Sequence, residues 1–276
     1  MSIITLTTDF GLKDHFVGAL KGKLISENPE IQIIDISHHV DLFNVSEASY
    51  IINASYASFP KGTVHLIGVD TERINGSKHI AIQWNDHFFV CADNGILSIL
   101  TQNVAPQKIV EINIHNQLSE DSTDLDVFAK VACHLAKGGS LTAIGSEISS
   151  IKMVTELQAF VSSDGNSIKG YVVYVDNFGN CVTTISKKMF TEFGNNRNFE
   201  IKFGNKIIKK IHAHYSDFKV TEKQTLKDLE GEKLALFNEA DFLEIAIYKS
   251  NPKTVGSAKS LLGLKYRDMV SIEFGI

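Results

Sequence analysis

Apolar and polar positions fall into blocks along the first half of the chain, and the period of the blocks alternates. Ile3 to Thr7 is short, apolar and β-branched, the pattern of a strand buried in a sheet. Asp9 stands where that strand ends, and Gly11 frees the turn after it. Phe16, Val17, Leu20 and Leu24 then recur at helical spacing, with Asp14 placed to cap the helix and Asn28-Pro29 to stop it. Ile31 to Ile36 predicts a second strand. Val45, Ala48, Ile52, Tyr56 and Phe59 form the apolar stripe of a helix over 44–59, and Thr63 to Val69 a third strand ending at Asp70. His79 to Trp84 and His87 to Cys91 predict a hairpin across Asn85-Asp86. Asp93-Asn94-Gly95 turns into a short helix to about residue 100. Lys108 to Ile114 predicts a strand, and Asp124 to Lys137 a helix closed by Gly138-Gly139. Such alternation predicts an α/β unit over 1–160, a mostly parallel sheet with helices on both faces.

The period shifts beyond about residue 158. Ser162 to Ser167 is a polar linker or hairpin turn. Strands then dominate: 170–175, 181–185, 199–203, 206–211, 233–237, 242–248 and 269–274. Short helices are expected at 187–193 and 254–262. Residues 166–276 therefore read as a β-barrel-like unit.

Composition narrows the function classes. The chain has 276 residues, 43% hydrophobic and 21% charged, which suits a soluble globular protein. The net charge of −5 and the lack of a basic block argue against nucleic-acid binding. Cys91, Cys133 and Cys181 are odd in number and widely spaced, which fits a reducing, cytoplasmic setting. No leader pattern opens the chain, and no apolar run approaches the ~18 residues of a membrane span, so no membrane partner is expected.

Several residues suggest chemistry. Asp9, Asp70 and Asp93 each follow a strand, and strand ends of a parallel sheet line one rim, where ligands bind. The Asp9 carboxylate suits a vicinal diol; the alternative is a turn residue bonded to its own backbone. Asp70-Thr-Glu-Arg73 pairs an acid with a cation that can hold a carboxylate or polarise a water, or it is a surface ion pair. In Asp176-Asn-Phe-Gly-Asn180, Phe178 can stack on a purine, Asn180 can read its edge and Asp176 can pair with an ammonium. A tight turn explains the Asn and Gly there but not an exposed Phe. His212 and His214 share a strand face without a third metal ligand, and an exposed face accounts for them. No metal and no cofactor are expected.

TTDFGLKDHFVG, DISHHV, the strand ending at Asp70, DNG at 93–95, DNFGN, FLEIA at 242–246 and LLGLKYRD occur in one order along the chain. Together they resemble the S-adenosylmethionine (SAM) hydroxide adenosyltransferases, relatives of fluorinase and chlorinase. That resemblance implies a homotrimer with each active site between the N-terminal domain of one subunit and the C-terminal domain of the next. It implies attack by water at C5′ of SAM, giving adenosine and methionine. It assigns Asp9 to the ribose hydroxyls, Phe178 and Asn180 to the adenosine portion and Asp176 to the methionine ammonium. Asp70 and Arg73 match two members of an Asp-Arg-His set that handles water. The chain departs from the pattern in that set. Asp70-Thr-Glu-Arg73 is shorter than the DPGVGTERR-like family segment. Thr123 and Leu125 stand where an FHGRD-like segment has His and Arg, and Glu239-Ala-Asp241 replaces a Ser/Gly pattern near Asn238. An altered hydrolase with Asp70, Arg73 and Thr123 at its centre is the leading expectation. A non-catalytic adenosine or SAM binder is the second, and a metal-dependent nucleoside hydrolase the third.

Overall fold

The computed structural model describes residues 2–74, 76–101, 104–119, 121–220 and 224–275. Two compact units, Met1–Glu156 and Leu157–Ile276, are described in turn.

The first unit contains β1 (Ile3–Thr8), α1 (Phe16–Glu27), β2 (Gln32–Ser37), α2 (Val45–Ser55), β3 (Val64–Gly68), β4 (His79–Trp84), β5 (His87–Ala92), α3 (Ile96–Leu100), β6 (Lys108–Ile112), α4 (Asp124–Ala136) and β7 (Gly145–Glu147). They build one seven-stranded sheet in the order β2-β1-β3-β5-β4-β6-β7. The β2, β1, β3 and β5 neighbours pair in parallel, whereas β4 is antiparallel to β5 and β6, and β7 to β6. Thus β1, β2, β3, β5 and β6 run one way, the mostly parallel sheet that the sequence predicts. Both faces are covered. Ile4, Leu6, Leu66 and Val90 pack with Leu20 and Leu24 of α1 and Phe128 and Val131 of α4. Ile67, Ile80, Ile82 and Phe89 pack with Ala48 and Ile52 of α2 and Ile96 of α3.

Local chemistry sets the element ends. Asn85 and Asp86 have φ of 49° and 64°, the pair of left-handed residues a two-residue hairpin requires. Asn44 caps α2 by accepting the Glu47 N–H at 3.2 Å. The expected 44–59 helix ends at Ser55, whose Oγ donates back to the carbonyls of Ile51 and Ile52, and a 3-10 turn follows over Tyr56–Ser58. Asp14 lies outside α1; His15 takes the cap position without a side-chain bond.

The second unit contains β8 (Phe160–Val161), β9 (Ser167–Val175), β10 (Cys181–Ser186), α5 (Lys187–Gly194), β11 (Phe199–Phe203), β12 (Lys206–Ile208), β13 (Ile211–His212), β14 (Lys233–Phe237), β15 (Phe242–Ile247), α6 (Ala258–Leu261) and β16 (Met269–Phe274). Nine strands form one sheet in the order β12-β11-β16-β9-β10-β15-β14-β13, with β8 beside β9. The predicted strand over 206–211 is two strands. β12 pairs with β11, the chain then crosses at Lys209-Lys210, and β13 pairs with β14. That switch of partner brings the sheet edges together and nearly closes the barrel around Ile168, Val172, Ile185, Ile201, Leu243, Ile245 and Ile272. Ser162 to Ser167 is the β8–β9 hairpin turn, closed by Ser162 N–H to the Ser167 carbonyl at 2.9 Å. His212 is buried and stacks on Phe218, so it does not lie on an exposed strand face. All three cysteines are buried and free, and no helix among the described residues is long and apolar enough to cross a membrane.

His65, on β3, carries a titration consequence. Its Nδ1 lies 2.7 Å from Thr5 Oγ1 and its Nε2 3.1 Å from His87 Nδ1, with the ring stacked on Phe89. Burial, reinforced by His87, pushes its pKa down to about 3. The unfolded chain therefore binds this proton first as pH falls, so the native state loses stability between pH 6.5 and about 3. A His65→Asn variant, less stable at pH 7, is expected to close its stability gap to wild type by about 1.4 kcal/mol per pH unit within that window. Urea unfolding at a series of pH values checks this; a gap that stays constant contradicts it.

Candidate functional site

The parallel strands place their carboxyl ends on one rim of the first unit. Thr8 of β1 is in register with Gly68 of β3, and β3 pairs in parallel with β5, so Asp9, Asp70 and Asp93 leave neighbouring strands at the same edge. His79 starts the antiparallel β4 opposite Ala92, and β6 runs with β1 and delivers His115 just beyond Ile112. The α4 N-terminus brings Asp124 to His79.

The side chains of Asp9, Asp93 and Asp124 each accept from a distant backbone N–H. Asp9 is buried, and its Oδ2 accepts the Phe43 N–H at 3.0 Å, so it does not bond only its own turn. Asp70 is exposed with φ of +46°, and Asn94 Nδ2 donates to the carbonyls of Val69 and Asp70 at 2.9 and 3.2 Å. Asp93 Oδ1 accepts the Lys152 N–H, which tethers the segment after β7. The backbone N–H of Arg73 donates to Asp124 Oδ2 at 2.9 Å. Thr123 is the N-cap of α4: its hydroxyl donates to Asp126 Oδ2 at 2.7 Å, and its N–H to the same oxygen. Leu125 packs against the apolar core.

Two histidines stand beside Arg73 that the sequence analysis did not single out. His79 Nε2 donates to the Thr71 carbonyl at 3.0 Å and lies 3.9 Å from Asp124 Oδ1; its Nδ1 is 3.1 Å from His115 Nε2. A cavity of about 180 Å³ opens between them, lined by Arg73, Lys78, His79, Glu111, Asn113 and His115. Burial holds both imidazoles below their ordinary pKa, and Arg73 acts in the same direction. Both are neutral at pH 7. His79 begins a strand and His115 sits in the 3-10 turn Ile114–Gln117, so no local spacing links them.

The second unit has its own cavity, about 270 Å³, lined by Asp176, Phe178, Asn180, Tyr215, Tyr248 and Lys249 among others. Asp176 closes its turn by accepting the Asn180 N–H at 2.8 Å and the Asn180 side-chain amide at 3.0 Å. Burial raises the Asp176 pKa, against those bonds from Asn180. The turn leaves Phe178 65% exposed in the lining of that cavity. Tyr215 donates to the buried Glu244 Oε1 at 2.6 Å, which anchors an aromatic wall that sequence reading missed. Asn238 lies on the other Glu244 oxygen at 3.4 Å.

The first unit thus carries a polar rim at its strand ends, and the second, barrel-like unit carries a cavity with aromatic side chains in its lining. Residues 4–145 match the SAM hydroxide adenosyltransferase N-terminal domain, and residues 170–271 match the SAM hydroxide adenosyltransferase C-terminal domain. The chain belongs to that family. It is 28% identical to the (R)-S-adenosyl-L-methionine hydrolase of Methanocaldococcus jannaschii, over 99% of this chain and 96% of the relative. The fluorinase of Actinopolyspora mzabensis is 25% identical, over 67% of this chain and 72% of the relative. A crystal structure of an uncharacterized conserved protein from Thermotoga maritima superposes with a TM-score of 0.83 at 30% identity, covering 98% of this chain and 99% of that one.

The Asp176–Asn180 turn depends on Gly179, which has φ of +74° and whose missing Cβ would lie 2.2 Å from Ser257 Oγ. Ser257 caps α6, so it has little room to yield. Gly179→Ala is expected to destabilise the protein by roughly 1–3 kcal/mol, through strain and overpacking. Chemical denaturation measures this, and an unchanged midpoint contradicts it.

Proposed function

We propose that this protein hydrolyses SAM, in the (R) form that its relatives' names specify, at C5′ to adenosine and L-methionine. The observation that carries the reading is the match of both family domains along one chain, with a named hydrolase aligned over nearly its whole length. The sulfonium leaves readily, so no general acid is needed; the protein must position water in line with the C5′–S bond and exclude bulk solvent.

The geometry supports distinct roles for the sites. Asp9, fixed through Phe43, holds the ribose hydroxyls. Phe178 stacks on adenine and Asn180 contacts the adenosine portion. Asp176 takes the methionine ammonium, an arrangement that restores the charged form burial disfavours. Asp70 orients the attacking water, and Arg73 stabilises the developing hydroxide. Thr123 contributes by capping α4 and so placing Asp124 under the Arg73 backbone. The enzyme works in the cytoplasm as a homotrimer whose neighbouring subunits supply the two halves of each site, and it needs no cofactor for substrate binding.

One observation favours a second reading, a non-catalytic SAM or adenosine binder. The Thr123 hydroxyl donates to Asp126, and an alcohol oxygen is far too weak a base to take a proton as the family's imidazole does.

Single-turnover chromatography separates the readings. Wild type is expected to release adenosine and methionine from SAM, and Asp70→Asn to abolish release while binding stays nearly intact. Wild type that binds SAM and forms nothing over hours establishes the binder instead; an Asp70→Asn variant at full rate removes Asp70 from the chemistry. Calorimetry with adenosine is expected to show Asp9→Ala and Phe178→Ala each losing roughly 1–3 kcal/mol of affinity. Unchanged binding in both contradicts the site. Native mass measurement is expected to give a trimer at micromolar protein, and monomer alone contradicts the shared site.

A further inference from the structure

We propose that His79, His115 and Asp124 form a binding site for one divalent transition-metal ion of the zinc class. One donor atom from each residue lies within 4.8 Å of the other two, the only such group among the described residues. Two imidazoles and one carboxylate with an open position form a donor set that zinc accepts. The ligands come from three separate elements, the start of β4, the turn after β6 and the first residue of α4.

The surroundings orient these groups as ligands. The Thr71 carbonyl can only accept, so His79 Nε2 carries the proton and Nδ1 accepts from His115 Nε2–H, 3.1 Å away, a proton that an ion seated between the two nitrogens would displace to His115 Nδ1 or to solvent. Two nitrogens on a tetrahedral zinc, each at about 2.0–2.1 Å, lie about 3.3 Å apart, close to that spacing. A backbone carbonyl on the remote nitrogen is the usual support of a metal-bound imidazole. The His79 ring is buried and packs on Phe128 at 4.5 Å, and the Arg73 N–H holds the Asp124 carboxylate from its other oxygen. Two cations line the same cavity. Lys78 is paired with Glu111 at 2.5 Å, whereas exposed Arg73 acts against positive charge at both histidines, a repulsion that the Asp124 carboxylate opposes. The cavity of about 180 Å³ leaves room for water on the open side of an ion.

The catalytic consequence rests on the proposed hydrolysis; the binding site does not. A divalent ion brings the pKa of its water toward neutrality. The proton passes to solvent, the water oxygen bonds to C5′, and the C5′–S electron pair leaves with methionine. The ion would thus stand in for the imidazole lost at Thr123.

The test uses the tag-free full chain, stripped with a chelator and titrated with ZnCl2 by calorimetry. One ion per chain is expected, with a dissociation constant of about 1 μM or tighter. His115→Ala and Asp124→Asn are each expected to weaken binding at least ~10-fold. Co2+ added to wild type is expected to give the intense visible absorption of a four-coordinate site, a readout that needs no variant. Absence of saturable 1:1 binding and of that spectrum overturns the proposal. So do folded variants that bind zinc as tightly as wild type. Adenosine formation is followed separately: zinc binding without hydrolysis sinks only the hydrolase reading, and hydrolysis without zinc binding sinks only the metal site.

Discussion

The parallel pairing of β1 with β3 and β3 with β5 is the constraint on which the rest of the first unit depends. Parallel neighbours cannot be joined by tight turns, so their carboxyl ends open together and the connecting chain must cross the faces. The rim that results gathers Asp9, Asp70 and Asp93 from segments far apart in sequence. Its loops are tied by backbone bonds such as Gly11 N–H to the His38 carbonyl and Asp93 N–H to the Lys78 carbonyl, and side chains add further bonds. Asp9 holds Phe43, Asn94 holds Val69 and Asp70, Asp93 holds Lys152, and Asp124 holds Arg73. Asp9, which is proposed to meet the ligand, is therefore also one of the residues that shape the loops.

Two of the departures from the family pattern that the resemblance implies, at Asp70 to Arg73 and at Thr123 to Leu125, meet in the first unit at the contact of Asp124 with the Arg73 N–H. The shortened segment at Asp70-Thr-Glu-Arg73 carries Thr71, whose carbonyl fixes the His79 tautomer. Thr123, in place of histidine, becomes a helix cap, and the next residue, Asp124, reaches both the Arg73 backbone and the neighbourhood of His79. Leu125, in place of arginine, turns into the core. Asp9 and the Asp176–Asn180 turn, by contrast, keep the residue types that the resemblance implies.

Legibility in the sequence followed the range of the interaction. The Asn85-Asp86 hairpin, the α4 helix and the β9–β10 turn are fixed by residues within a few positions of one another, and composition and period show them. The split of the 206–211 strand was not legible, because only the partner strands β11 and β14 decide where it breaks. Site residues behaved likewise. Asp9 was marked by its place at a strand end, yet its partner lies 34 positions on. His79 and His115 are 36 positions apart, and neither belongs to a motif. Tyr215 and Glu244 meet only across the barrel wall. The signal available was that a histidine at a strand end of the rim, if buried, needs a polar partner, as His65 does in mid-strand.

The central claim is cleavage of the C5′–S bond by water. Reaction of the enzyme with SAM in 18O-enriched water, followed by mass spectrometry of the products, tests it most directly. The account predicts adenosine carrying one solvent oxygen at its 5′-hydroxyl and methionine carrying none. Adenosine without solvent oxygen, or adenine as the nucleoside-derived product, would contradict it.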